Sequence, residues 1–161
     1  IRSDAEAIIN LIAGIQNAVL YKDWDGNGKI NDPGDGYGIL LNGDQAGYVS
    51  GSIDHAELAA QAPDSTPDIR FHSEHVVVSA QNVEQWATQL RDIAIGIAQA
   101  NSNEISDVDI RSANTLANQI LNGIDIDGNE QVDPIPGEGG AITAFEHAVY
   151  MSDIQIYPGE R

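Results

Sequence analysis

The amino-acid sequence predicts an all-α protein, a bundle of four to five helices containing two helix, acidic loop, helix units. Three observations carry this: apolar residues recur at 3,4 spacing in several segments, helix-start signatures stand in front of them, and no stretch shows the sustained alternation of a half-buried strand. At 161 residues the chain is long enough for one core and short for two. One domain spanning 1–161 is expected.

The first helix opens near residue 4, where Ser3 and Glu6 fit a capping box, and runs to about Tyr21 with Ile8, Ile12, Ile15 and Val19 as its inward stripe. A weaker helix follows from Gly43 to Ala62, carrying Leu58 and a Gly47–Gly51 pair suited to close backbone contact with a neighbouring helix. The third start is plain: Thr66 caps, Pro67 takes the first helical position and Asp68 sits in the first turn. Val83, Trp86, Leu90, Ile93 and Ile97 then form a bundle-facing stripe, while the β-branched Val76–Val78 and the polar run Ser79-Ala80-Gln81-Asn82 predict a bend or division. A fourth helix, about 106–122, is capped by Ser106 with Asp107 and Asp109 at its positive end, and turns Leu116, Ile120 and Ile124 inward. The last, about Ala141 to Ser152, presents Ile142, Phe145 and Val149, and the tail IQIYPGER reads as a short extended segment or linker. The organisation is an internal repeat, about 4–62 and 106–152, bridged by the helix of about 66–100.

The composition holds 25 Asp and Glu against 7 Lys and Arg, a formal charge of −18. That balance excludes nucleic acid and anionic membrane surfaces as partners, since both need a basic footprint, and makes cations the natural ones. Cysteine is absent, which removes disulfides, thiolate metal sites and c-type haem attachment. No apolar run is long enough to span a membrane, and the first residues lack the form of a signal peptide. A soluble chain is expected, already processed if secreted, and abundant Asn, Gln and Ser with few Lys matches extracellular proteins. Acids crowd into two loops, Asp23, Asp25, Asp32 and Asp35 in one and Asp125, Asp127, Asp133 and Glu138 in the other, with Glu130 beside them. Two bound divalent ions would cancel about four charges there.

Those loops read DWDGNGKINDPGDG (23–36) and DIDGNEQVDPIPGEG (125–139), and share D-x-D-G-N-x-x-[IV], then D-P, then G-[DE]-G. Asp, Asn and Gly favour turns in any case. Two loops with this pattern, each after an apolar helix, exceed what turn propensity supplies. DWDGNGKIN and DIDGNEQVD resemble the calcium-binding loops of the EF-hand superfamily, dockerin-like members included. The resemblance implies two Ca²⁺ sites with ligands from Asp23, Asp25, Asn27 and the Lys29 carbonyl, and from Asp125, Asp127, Asn129 and the Gln131 carbonyl. It also implies inward anchors at Ile30 and Val132, paired through a short backbone bridge. Short side chains at alternate positions of a tight turn converge on one point, which suits an ion that takes six to eight hard oxygens at about 2.3–2.6 Å.

The loops depart from that pattern in three ways. The position of the family's bidentate Glu holds Gly34 in one loop and Pro136 in the other, so Asp35 and Glu138, just beyond, are the expected substitutes in lengthened loops. Glu130 stands where the first loop has Gly28, and must accept a left-handed backbone at a cost of about 1 kcal/mol, which predicts a weaker second site. Asp32 and Asp133, before proline, are each a ligand, a water-mediated ligand or a turn former.

Four histidines are the other candidate chemistry. His72 and His75 lie three apart on one helix, and His147 and Met151 four apart on another, while His55 and His147 share an acid-His-Ala context. There is no HExxH, no Glu-x-x-His, no G-x-S-x-G and no Gly-rich phosphate loop, so hydrogen-bonded or partly exposed helix histidines are the expectation and no catalytic residue is assigned. Trp24 is expected to pack its loop onto the bundle. The functional expectation is a secreted or cell-surface calcium-binding helical module with a structural, adhesion or fibre-forming role and a protein partner or self-assembly. The alternative is a histidine-ligated metal or redox protein that the calcium loops only brace. A calcium sensor is disfavoured by the single methionine.

Overall fold

The computed structural model describes residues 1–101 and 103–153, so the tail at 154–161 lies outside the described residues. Within them the chain forms five α-helices and no strand: α1 (Arg2–Ala13), α2 (Tyr48–Gln61), α3 (Pro67–Gln99), α4 (Asp107–Asn122) and α5 (Ala141–Tyr150). α3 is the axle, packing against each of the other four, and α4 also touches α5. No described helix is long and apolar enough to cross a membrane.

α3 starts as its sequence dictates, with Thr66 Oγ1 accepting the Ile69 N–H at 3.2 Å and Pro67 at the first position. It buries Val83, Trp86, Leu90 and Ile97. It is also continuous through the valines and the Ser79-Ala80-Gln81-Asn82 run, where a bend was expected. Ser79 and Asn82 do not break the inward face; they are part of it, both buried, and receive the second acidic loop. α4 begins on Ser106, whose hydroxyl accepts the Val108 N–H at 3.1 Å, and contributes Ala113 and Leu116 to the core. One apolar cluster joins Ile12, Leu40, Trp86, Ala87, Leu90, Ala113 and Leu116; a second joins Ala5, Ile9, Ala94, Ile97 and Ala98, with Trp24 packed on its edge.

Several expectations need correction. α1 stops at Ala13 rather than near Tyr21, leaving Ile15 and Val19 57% and 75% exposed. The cause is Gly14, at φ 71, where a Cβ would stand 2.4 Å from the Gly38 nitrogen. Only glycine permits that backbone crossing. Nor do Ser3 and Glu6 form a capping box: α1 is capped from Ile1 without a side chain, and Glu6 is fully buried under the first loop. α2 starts at Tyr48, later than expected, because Gly47 is pressed against the Leu40 carbonyl; Gly51 faces open space, so the glycine pair meets a loop and not a helix. Lastly, α5 turns Ile142, Phe145 and Val149 outward, and Ile124 is exposed as well; Thr143 is the one buried residue of α5.

Candidate metal centres

In both loops the first aspartate organises the turn. Asp23 accepts N–H groups from Gly26 (2.7 Å) and Asn27 (3.2 Å) on Oδ1 and from Gly28 (2.7 Å) on Oδ2. Asp125 does the same with Gly128 (2.7 Å), Asn129 (3.2 Å) and Glu130 (2.8 Å). Asp25 and Asp127 each cap the following Asn at 3.0 Å, and Asn27 and Asn129 cap Lys29 and Gln131 at 2.9 and 2.8 Å. The N–H of Gly28, then those of Gly26 and Asn27, hold the Asp23 carboxyl below the usual carboxylate range. For Asp125 desolvation pushes upward, and the three N–H groups together outweigh it, so its carboxyl too is lowered. Glu130 takes the left-handed conformation that its place requires, at φ 68.

The loops also close onto their preceding helices alike. The N–H of Ile15 reaches the Gly36 carbonyl at 2.7 Å, and that of Ile124 the Glu138 carbonyl at 3.0 Å. Counted from Asp23 and from Asp125, Gly36 therefore stands in register with Glu138. The first loop has no side chain where the second has its last acid.

Two different carboxylates fill that place. Glu138, fully buried, brings an oxygen within 4.8 Å of carboxylate oxygens of Asp125 and Asp127. In the first loop the residue brought to Asp23 and Asp25, within the same 4.8 Å, is Glu6 of α1. Asp35 goes elsewhere: it accepts the Tyr37 N–H at 2.9 Å and the Tyr48 hydroxyl, which, with the Tyr48 contact the stronger, lowers its carboxyl and raises the phenol. Asp32 forms a turn, accepting from Gly34 N–H (2.9 Å) and the Tyr21 hydroxyl (3.0 Å), and Asp133 accepts from Asn129 Nδ2 at 2.7 Å. Ile30 and Val132 do not pair. Their side chains are 50% and 37% exposed, and the isolated bridge among the described residues is Asn42–Gln45.

The polar surroundings of the two glutamates differ. Glu6 Oε2 accepts the N–H of Trp24 (2.8 Å) and of Asp25 (3.0 Å), and Oε1 that of Asn31 (2.6 Å). One turn on, the buried Asn10 ties the two ends of the loop together through Lys22 and Asn31. In the second loop Asn82 of α3 does the holding, bonding the carbonyls of Ile135 (2.9 Å) and Gly139 (3.1 Å) and the N–H of Gly137 (2.7 Å). Glu138 receives none of this: both carboxylate oxygens are buried without a hydrogen-bond partner among the described residues. An ionised carboxylate so placed is costly unless a cation neutralises it, and its two free oxygens beside Asp125 and Asp127 are the donor set that a hard divalent ion takes. Glu6, Asn10 and Asn82 had a sequence signal: each is a polar residue on a helix face otherwise apolar.

The histidines form a separate group. His72 and His75 of α3 meet His147 of α5, with Nδ1 to Nδ1 distances of 2.9 Å (His72 to His147) and 3.2 Å (His75 to His147). Partial burial, then the neighbouring imidazoles, pushes His147 down to about 4 and lowers His75 as well. His55 stands apart, on the wall of an open groove of about 720 Å³ with Tyr37, Tyr48 and Val76. Compared with protein-family models, with curated protein sequences and with solved structures, the chain finds no match.

Proposed function

We propose that this chain is an extracellular or cell-surface helical module, built as a two-fold repeat, that binds two Ca²⁺ ions and serves a structural, adhesion or assembly role. The observation that carries the reading is Glu138, buried with both oxygens unpartnered beside Asp125 and Asp127. In the second site Asp125, Asp127, Asn129, the Gln131 carbonyl and Glu138 would hold the ion; in the first, Asp23, Asp25, Asn27, the Lys29 carbonyl and Glu6, in place of Asp35. Calcium rather than magnesium suits an oxygen-rich loop of irregular outline. Such ions act as structural struts, since a site absent from the unfolded chain turns binding free energy into stability. The charge of −18 favours obligate cation binding. The outward apolar side chains of α5, Phe145 at 68% exposure among them, favour a protein partner or self-assembly.

Calorimetric titration of the metal-stripped chain tests this. Two calcium ions per chain are expected, one in Asp23→Ala and one in Asp125→Ala, with a melting temperature that falls in chelator. Unchanged melting in chelator would sink the proposal.

A further inference from the structure

The calcium reading leaves three convergent imidazoles without a task. We propose that His72, His75 and His147 form a second kind of metal site, for a divalent transition ion of the zinc type, which clamps α5 to α3.

Geometry comes first. Zinc bound tetrahedrally by imidazole nitrogens at about 2.0–2.1 Å sets those nitrogens roughly 3.3 Å apart. The Nδ1 atoms lie 2.9 and 3.2 Å from that of His147, and the three ligand atoms fall within 4.8 Å of one another. The two distances to His147 differ from that spacing by only a few tenths of an ångström. A two-centre hydrogen bond accounts for only one of the two contacts, because a ring nitrogen carries one proton or one in-plane lone pair, and the Nδ1 of His147 faces two neighbours at once. An ion among the three would receive a lone pair from each.

The donor set fixes the class of ion. Three imidazoles without a carboxylate suit zinc, copper or nickel and are poor for calcium or magnesium, which take oxygen. The same chain thus separates its cations by ligand chemistry, oxygens in the loops and nitrogens between the helices. Three protein ligands leave a fourth position for water or an incoming donor. The rings are half-buried, with Phe71 4.4 Å from His75 and Tyr150 5.6 Å from His147, centre to centre.

α5 also needs such a clamp. It has ten residues, Thr143 alone is buried, and helices that short are marginal without tertiary support. Loop two fixes its start at Gly140, and an ion on His147 would fix its last turn to α3.

The test is zinc titration of the full chain with the loops already saturated with calcium, followed by calorimetry and by the visible absorption of a cobalt substitute. One zinc per chain is expected, with a tetrahedral cobalt spectrum. His147→Ala and His72→Ala should each weaken zinc binding at least about a hundredfold, beyond the 10–100-fold that loss of a supporting residue costs. Both variants should still bind two calcium ions, which shows them folded, and His55→Ala should match wild type. Absence of saturable zinc binding, zinc retained in both His147→Ala and His72→Ala, or equal loss in His55→Ala would each overturn the site. None of those results touches calcium stoichiometry, so the two readings stand or fall separately.

Discussion

Glu138→Gln keeps the shape of a buried side chain and removes its charge, so its effect on stability should reverse with calcium. Without the ion, wild type carries a buried carboxylate whose two oxygens have no partner. An uncompensated buried charge costs about 3–5 kcal/mol, and an unpartnered neutral group about 1–3 kcal/mol. The variant should therefore be more stable than wild type in chelator, by about 2 kcal/mol. At calcium one-hundredfold above the dissociation constant, one site adds about 2.7 kcal/mol. The variant, lacking the bidentate acid, forfeits that gain, which exceeds its advantage in chelator, so the order of the two proteins inverts. For a chain of 161 residues, each kcal/mol moves the midpoint by about 2–4 °C. Thermal unfolding followed by circular dichroism should place Glu138→Gln about 4–8 °C above wild type in chelator. Its rise on adding calcium should be about 5–10 °C smaller than that of wild type. Equal displacement in both media, or a loss in chelator, would refute the assignment of Glu138 to a cation.

Glu6→Gln should behave otherwise, because the Glu6 carboxylate is engaged by the N–H groups of Trp24, Asp25 and Asn31. An amide offers one acceptor oxygen and sets its own N–H against a donor, so a loss of about 2–3 kcal/mol is expected already in chelator, and a larger one with calcium, where the first site also lacks its acid; a gain in chelator would contradict the geometry. Asp35→Ala removes a carboxylate engaged by Tyr37 and Tyr48 and should leave calorimetry at two calcium ions; one ion lost would return Asp35 to the first site. Glu130→Gly relieves a left-handed backbone at φ 68 and should raise the melting midpoint by an amount matching up to about 1 kcal/mol; a lower midpoint would mean that the side chain contributes more than its strain costs.

The sequence announced its helices where local signals and burial agreed. Thr66-Pro67 and Ser106 begin α3 and α4 as their side chains require, and the stripe from Val83 to Ile97 is core. It misled where a residue's partner lies far along the chain. Ile15 and Val19 continue the spacing of α1, yet Gly14 ends that helix because Gly38 crosses it, a contact no local pattern encodes. Ser3 and Glu6 match a capping box, but Glu6 is taken by a loop whose main-chain donors are a more demanding claim than a helix end. The same blindness hid the socket in α3: a polar run inside an apolar stripe looks like a bend until Asn82 is seen holding Ile135, Gly137 and Gly139. The loops' short-range turn chemistry was legible to the residue. Their final acids were half so, since Glu138 belongs to its own loop and Glu6 is borrowed from a helix.

That difference decides what an ion would do in each loop. The first is shaped by the polypeptide itself: Glu6 and Asn10, a turn apart on α1, satisfy its main chain, and Tyr21 and Ser3 bind Asp32 and Asn31. An ion there would enter a cage already formed, and most of its binding free energy would be expressed as affinity. The second loop has its backbone held by Asn82, but its deepest acid is left without any donor. There the ion would supply the missing counter-charge, so its binding free energy would be folding free energy. The left-handed strain at Glu130 sets the second loop back by about 1 kcal/mol, less than the cost of leaving Glu138 unpaired, so on the proposed reading the second loop would depend on its ion more than the first. α5 begins at Ala141, directly after that loop, and buries little of its own surface. On the two proposals the dependence on cations would thus be concentrated around α5, where loop two anchors one end of a short helix and the three imidazoles meet at the other.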